Sequence, residues 1–218
     1  MRFWESPSHL FNYSFDDVVT VFWNRYPNSK AQHILSEDVL ERKIMGDEII
    51  TRKLILKKGA TFLKAAPKWM KNLTNVQVVP TIEESIYDRK KKTLVTYTRN
   101  ISWTSVFHMD ERCVYKPAEA LRLQQDQQLT FVPRTQLERA VCVTVNYFGL
   151  SSIIERFMIM SFKKSVKKTV LGISEKLEEK FGPPLTSSSA NAATKMSEKA
   201  SSIKEKIMAN KNINFGNA

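Results

Sequence analysis

LSSIIERFMIMSFKKSVKKTVLGISEKLEEKF (Leu150–Phe181) decides the fold. Ile153, Ile154, Phe157, Met158, Met160, Phe162, Val166, Val170, Ile173 and Leu177 recur at helical spacing, so this stretch reads as one long helix. At 1.5 Å per residue, roughly 30 residues span about 45 Å, enough to cross a whole sheet. Gly182-Pro183-Pro184 stops it. Everything before Leu150 runs at a different period.

Upstream, short alternating runs are bounded by turn residues. Residues 1–13 read as a short strand. Ser14 opens S-F-D-D, a capping-box-like helix start, and that helix is expected to reach about Tyr26 before Pro27-Asn28. Strands are then expected over Asp38–Ile44, Glu48–Lys58, Val76–Asp88, Thr93–Trp103, Phe107–Tyr115 and Gln136–Tyr147. Strand, helix, a meander of antiparallel strands and a closing helix make an α+β fold of about six to seven strands. Residues 1–182 form the domain. Residues 183–218 form a Ser/Ala/Lys-rich tail in which an amphipathic helix can form over 192–209.

The 218 residues carry a formal charge of +12, against an ordinary 42% hydrophobic and 26% charged content. That excess implies a polyanionic partner, whether nucleic acid, anionic membrane or a phosphate-bearing ligand. Cys113 and Cys142 are too few for a disulfide framework and read as free thiols, buried or half-buried. No apolar run of about 18 residues spans a membrane, and the start MRFWESP resembles neither a signal nor a transit peptide. No phosphate-binding glycine loop, metal-ligand cluster or nucleophile elbow is present, and His9, His33 and His108 are scattered. No catalytic residue, metal or cofactor is assigned, and the chain does not read as an enzyme.

Three constellations remain. FWNRYPN (Phe22–Asn28) places Arg25 on the apolar stripe of the first helix with Val18, Val21 and Phe22. A buried arginine needs a partner. The helix's own terminal carbonyls, a buried carboxylate such as Glu84 or Glu111, and an anionic ligand all qualify. GATFLKAAPKWMKNLTN (Gly59–Asn75) interleaves Phe62, Leu63, Trp69 and Met70 with lysines. That composition suits a membrane interface or a loop folded onto its own core. The long helix carries Lys163, Lys164, Lys167 and Lys168, most of them expected on a solvated face.

The ordered runs WNRYPN, SEDVLER, P-K-W, EESIYD–TYTRNI, DERCVYK and FKKSVKKT, spanning roughly residues 1–180, resemble the PRELI/MSF1 family. The resemblance implies a curved antiparallel sheet closed by the long helix around a lipid cavity. It implies phospholipid transfer in the mitochondrial intermembrane space. The cargo would be phosphatidic acid moved from outer to inner membrane for cardiolipin synthesis. It also implies contact with an anionic mitochondrial membrane. The expected protein partner is a small twin-cysteine-motif helical-hairpin protein. By the same resemblance, headgroup binding falls to Arg25, Lys57, Lys163 and Lys168, and membrane contact to a lid with Pro67 and Trp69. Phe62, Leu63 and Met70 join that lid by composition. Ser29 stands where the family usually has a second proline, and Leu171-Gly172 where it has a lysine-glycine pair. A phosphatidylserine carrier and a basic nucleic-acid-binding module are the alternatives. On this reading Arg25→Glu abolishes transfer and leaves the fold intact.

Overall fold

The computed structural model describes residues 1–58, 78–125, 128–146 and 149–184. The lid positions Phe62, Leu63, Pro67, Trp69 and Met70, and the tail helix expected over 192–209, lie outside the described residues.

Eight strands form one antiparallel sheet: β1 (Arg2–Glu5), β2 (His9–Phe11), β3 (Ile34–Met45), β4 (Glu48–Lys58), β5 (Val78–Asp88), β6 (Thr93–Asn100), β7 (Phe107–Gln125) and β8 (Gln128–Val145). Their order is β1-β8-β7-β6-β5-β4-β3, with β2 also on β8. The segment expected as a single first strand is two, because both β1 and β2 pair with β8 around the intervening Ser6-Pro7-Ser8.

The two helices among the described residues are α1 (Phe15–Trp23) and α2 (Ser151–Phe181). α1 begins with a reciprocal capping box. Asp17 N donates to Ser14 Oγ at 3.2 Å, and Ser14 N donates to Asp17 Oδ2 at 3.3 Å. It ends at Asn24, earlier than expected, so Arg25 lies just past the helix rather than on its stripe.

Two apolar clusters hold the layers together. α1 buries Phe15, Val18, Val19, Val21 and Phe22 with Leu94, Tyr115 and Leu137 of the sheet and with Ile173 and Leu177 of α2. The first half of α2 buries Ile154, Met158, Ile159 and Phe162 against Val141, Val143 and Val145. Trp4 closes that second cluster edge-on to Phe162 at 5.9 Å.

The inward face of the central strands is mostly polar. Thr51 and Lys53 of β4, Thr81, Glu83 and Ser85 of β5, Thr96, Thr98 and Asn100 of β6 and Arg139 of β8 are all buried. Strand alternation points these side chains to one side. Lys53 pairs with Glu83, Glu83 with Thr98 and Thr98 with Glu111 across successive strands, making a charged row across the sheet. A solid hydrophobic core would not be floored this way.

Candidate functional site

Arg25 closes the top of this polar floor. It is 4% exposed and held by carboxylates from two strands. Its Nη2 donates to Glu83 Oε1 at 2.7 Å and Oε2 at 2.6 Å, and lies 3.4 Å from Glu37 Oε1. Both carboxylates use the same terminal nitrogen. The guanidinium carbon also stands 4.2 Å from the Phe22 ring centroid and 4.9 Å from that of Tyr26. A buried carboxylate, one of the partners expected from sequence, is found there, but it is neither Glu84 nor Glu111. Glu84 faces the opposite side of β5 and pairs with exposed Arg52, while Glu111 contacts Arg139 at 3.3 Å. Strand parity is the reason, since neighbours Glu83 and Glu84 point to opposite faces of the sheet.

Glu37 is shared. Its Oε1 also accepts from Lys53 Nζ at 3.1 Å. Burial pulls the Lys53 ammonium below its ordinary pKa, against the pull of Glu37 the other way. Arg139 is held well above the ordinary arginine value by Cys113, Glu111 and Tyr115, against its burial. Burial pushes the Cys113 thiol up to about 12, so that cysteine is an inert free thiol; Cys142 is free as well.

Lys57 differs from these cations. It projects from the inward side of β4 two residues beyond Ile55 and is half-buried. Burial lowers its pKa, and the fields of Glu111 and Glu83 only partly oppose this. Among the described residues it makes no ion pair within 4.0 Å, whereas Arg25, Lys53 and Arg139 each do. The cluster therefore sets four cations (Arg25, Lys53, Lys57 and Arg139) against three carboxylates (Glu37, Glu83 and Glu111). The surplus charge sits on Lys57.

His33, whose carbonyl accepts from Lys58 N at 2.7 Å, leads from Lys57 to a cleft. Arg25, Tyr26, Asn28, Lys30, His33 and Lys168 are among the walls of this small cleft. Burial lowers the His33 pKa, and Lys57 and Lys168 lower it further. Lys57, His33 and Lys168 thus share one electrostatic neighbourhood at the rim of the Arg25 pocket. Lys163 does not join them. It is exposed, and its Nζ lies 5.2 Å from the Trp4 ring centroid. The structure therefore gathers Arg25, Lys57 and Lys168 of the sequence-predicted set, and adds His33, Glu83 and Glu37.

The turn after α1 positions Arg25 by docking on α2. Asn28 Nδ2 donates to Arg25 O at 2.6 Å, and Asn28 Oδ1 accepts from Lys30 N at 3.0 Å. Ser29 Oγ donates to Glu175 Oε2 at 2.5 Å, so a hydroxyl anchors the turn where a proline would only have stiffened it. Gly172 is what lets the turn come this close: a Cβ there would stand 2.7 Å from Asn28 Oδ1. Alanine would gain roughly 1 kcal/mol in helix propensity. It would also displace a side chain tied at both ends, and overpacking costs about 1–3 kcal/mol. Gly172→Ala is therefore expected to destabilise by about 1 kcal/mol net, read as a lower urea midpoint. A raised midpoint would show that the turn yields freely.

The fold is thus an antiparallel sheet with a long helix packed on it, and its cationic cleft lies between the turn after α1 and α2. The chain belongs to the PRELI-like family, which it matches over residues 16–183. It is 30% identical to human PRELI domain-containing protein 1, mitochondrial, over 86% of this chain and 80% of that one. The bovine protein of the same name is 32% identical over 79% and 75%. Protein UPS1, mitochondrial, of Saccharomyces cerevisiae is 28% identical over 81% and 95%. These relatives are named as mitochondrial proteins, which supports a mitochondrial location for this chain. Among solved structures, the Zhui aromatase/cyclase of Streptomyces sp. R1128 superposes with a TM-score of 0.50 at 12% identity, over 81% of this chain and 93% of that one. At that identity the likeness is one of fold alone.

Proposed function

We propose that this chain carries a phospholipid between the mitochondrial membranes, with phosphatidic acid as the cargo. The observation that supports this most directly is Lys57, a half-buried cation without an ion pair among the described residues, next to His33, which lines the cleft with Lys168 and Arg25. An anion arriving there cancels a surplus the fold leaves open. A phosphomonoester offers the most charge and the most acceptor oxygens for Lys57, Lys168 and the Arg25 nitrogens that Glu83 and Glu37 do not use. No covalent bond is made or broken in this reading. The acyl chains would extend from the cleft beneath the helix layer. In keeping with the family resemblance, transfer would take place in the intermembrane space, with a small twin-cysteine-motif protein as partner.

The test is transfer of labelled phosphatidic acid, phosphatidylserine and phosphatidylcholine between donor and acceptor liposomes, with and without the candidate partner. Phosphatidic acid is expected to move fastest and phosphatidylcholine slowest. Equal rates for all three would sink the headgroup reading. Faster phosphatidylserine would turn the assignment to that cargo.

A further inference from the structure

We propose that the solvent-facing side of α2 is a docking surface for an anionic lipid bilayer, bordering the mouth of the cleft. It deepens the carrier reading by saying how the carrier meets its membrane. On a helix of 3.6 residues per turn, Ile153, Arg156, Met160, Lys164, Lys167 and Leu171 fall within an arc of about 80°. The arc lies opposite the side that buries Met158, Phe162 and Ile173. All six are exposed, with Ile153 at 57%, Met160 at 56% and Leu171 at 55%. α2 is therefore apolar on two sides, only one of which faces the core.

The outward stripe runs about 27 Å along the helix. Between Arg156 and Ser174 the sequence contains no aspartate or glutamate. Arg156, Lys164 and Lys167 make no ion pair among the described residues. An ordinary solvated helix face mixes charge signs and keeps large apolar groups few. Cations spaced between Ile, Met and Leu suit the headgroup–acyl boundary instead, where ammonium groups meet lipid phosphates and the apolar side chains dip below them. The stripe has no aromatic ring, so it offers nothing for a nucleobase to stack on, and this favours lipid over RNA. Lys168 lies one turn from Lys164 and lines the cleft, so a bilayer lying along the stripe would meet the cleft's mouth.

The experiment is sedimentation of the full chain with phosphatidylcholine vesicles made with or without phosphatidylglycerol. The triple variant Arg156→Gln, Lys164→Gln, Lys167→Gln is expected to partition onto the anionic vesicles roughly a hundredfold more weakly, at about fivefold per cation. Met160→Ser with Leu171→Ser is expected to lose about tenfold. Both variants are expected to bind a soluble short-chain phosphatidic acid as the parent does, which shows the fold and cleft intact. Parent-like partition of both variants overturns the surface, as does loss confined to RNA binding. Loss of vesicle and soluble-lipid binding together overturns it as a separate site. If the parent itself binds no short-chain phosphatidic acid, the cargo assignment fails, while the vesicle result still decides the surface.

Discussion

Arg25→Glu is expected to lower the stability of the fold by about 3–5 kcal/mol, a large part of the roughly 5–15 kcal/mol available to a domain. The substitution removes the cation that Glu83 holds through both oxygens, at 2.7 and 2.6 Å. It also puts a third carboxylate beside Glu83 and Glu37. Glu37 would keep Lys53, but Glu83 would be left with the Thr98 hydroxyl at 3.5 Å. Urea denaturation measures the effect, and a loss under about 1 kcal/mol would mean that the Arg25–Glu83 pair does not hold in solution. This revises the expectation that the variant spares the fold. Lost transfer in Arg25→Glu would therefore report unfolding as much as lost headgroup binding.

Lys57→Gln separates the two. Lys57 has no ion pair among the described residues, and burial lowers its pKa. A depressed lysine pKa means the folded state disfavours the charged form, so removing the charge relieves the fold. The variant is expected to match or exceed the parent in urea midpoint. Its phosphatidic acid transfer should fall at least about tenfold, because charge-assisted hydrogen bonds to phosphate are the strong ones. A destabilised variant with normal transfer would show that Lys57 serves the structure and not the cargo.

How far these groups are legible in sequence depends on the kind of signal. α2 is legible because one periodicity holds from Ser151 to Phe181. β4 is legible from end to end, since its alternation is bounded by Gly46-Asp47 and by Gly59. The long β7–β8 hairpin is not. In sequence the strand signals stop at Tyr115 and resume at Gln136, yet β7 continues to Gln125 and β8 begins at Gln128. Pro117, Pro133 and a glutamine-rich tip argue against strand. They are tolerated because past Tyr115 β7 no longer pairs with β6, and before Thr135 β8 no longer pairs with β2, so each strand has a free edge. The extension lengthens the hairpin without adding a strand; the described sheet has eight strands rather than six or seven because β1 and β2 are separate.

The site divides in the same way. Arg25 stands out in sequence as a cation among apolar neighbours, and its burial bears that out. The choice of Glu83 over Glu84 turns on strand parity, which fixes the face only once the pairing of β5 is known. His33 carries no local signal. It joins the site because the turn from Asn28 to Ile34 leads it to the end of β4, where Lys58 N donates to His33 O at 2.7 Å. In sequence the Leu171-Gly172 pair reads only as a missing basic position at Leu171, whereas in the fold Gly172 is the gap into which Asn28 fits.

The surplus cation at Lys57 also bears on the fate of the empty protein. A charge left half-buried without a counterion raises the free energy of the unloaded fold relative to the loaded one. Any anion that settles in the cleft then stabilises the native state by mass action. On the proposed carrier function, occupancy and lifetime become linked: a protease sampling transiently opened chains would meet empty carriers more often than full ones, and supply of cargo would help set how many carriers persist.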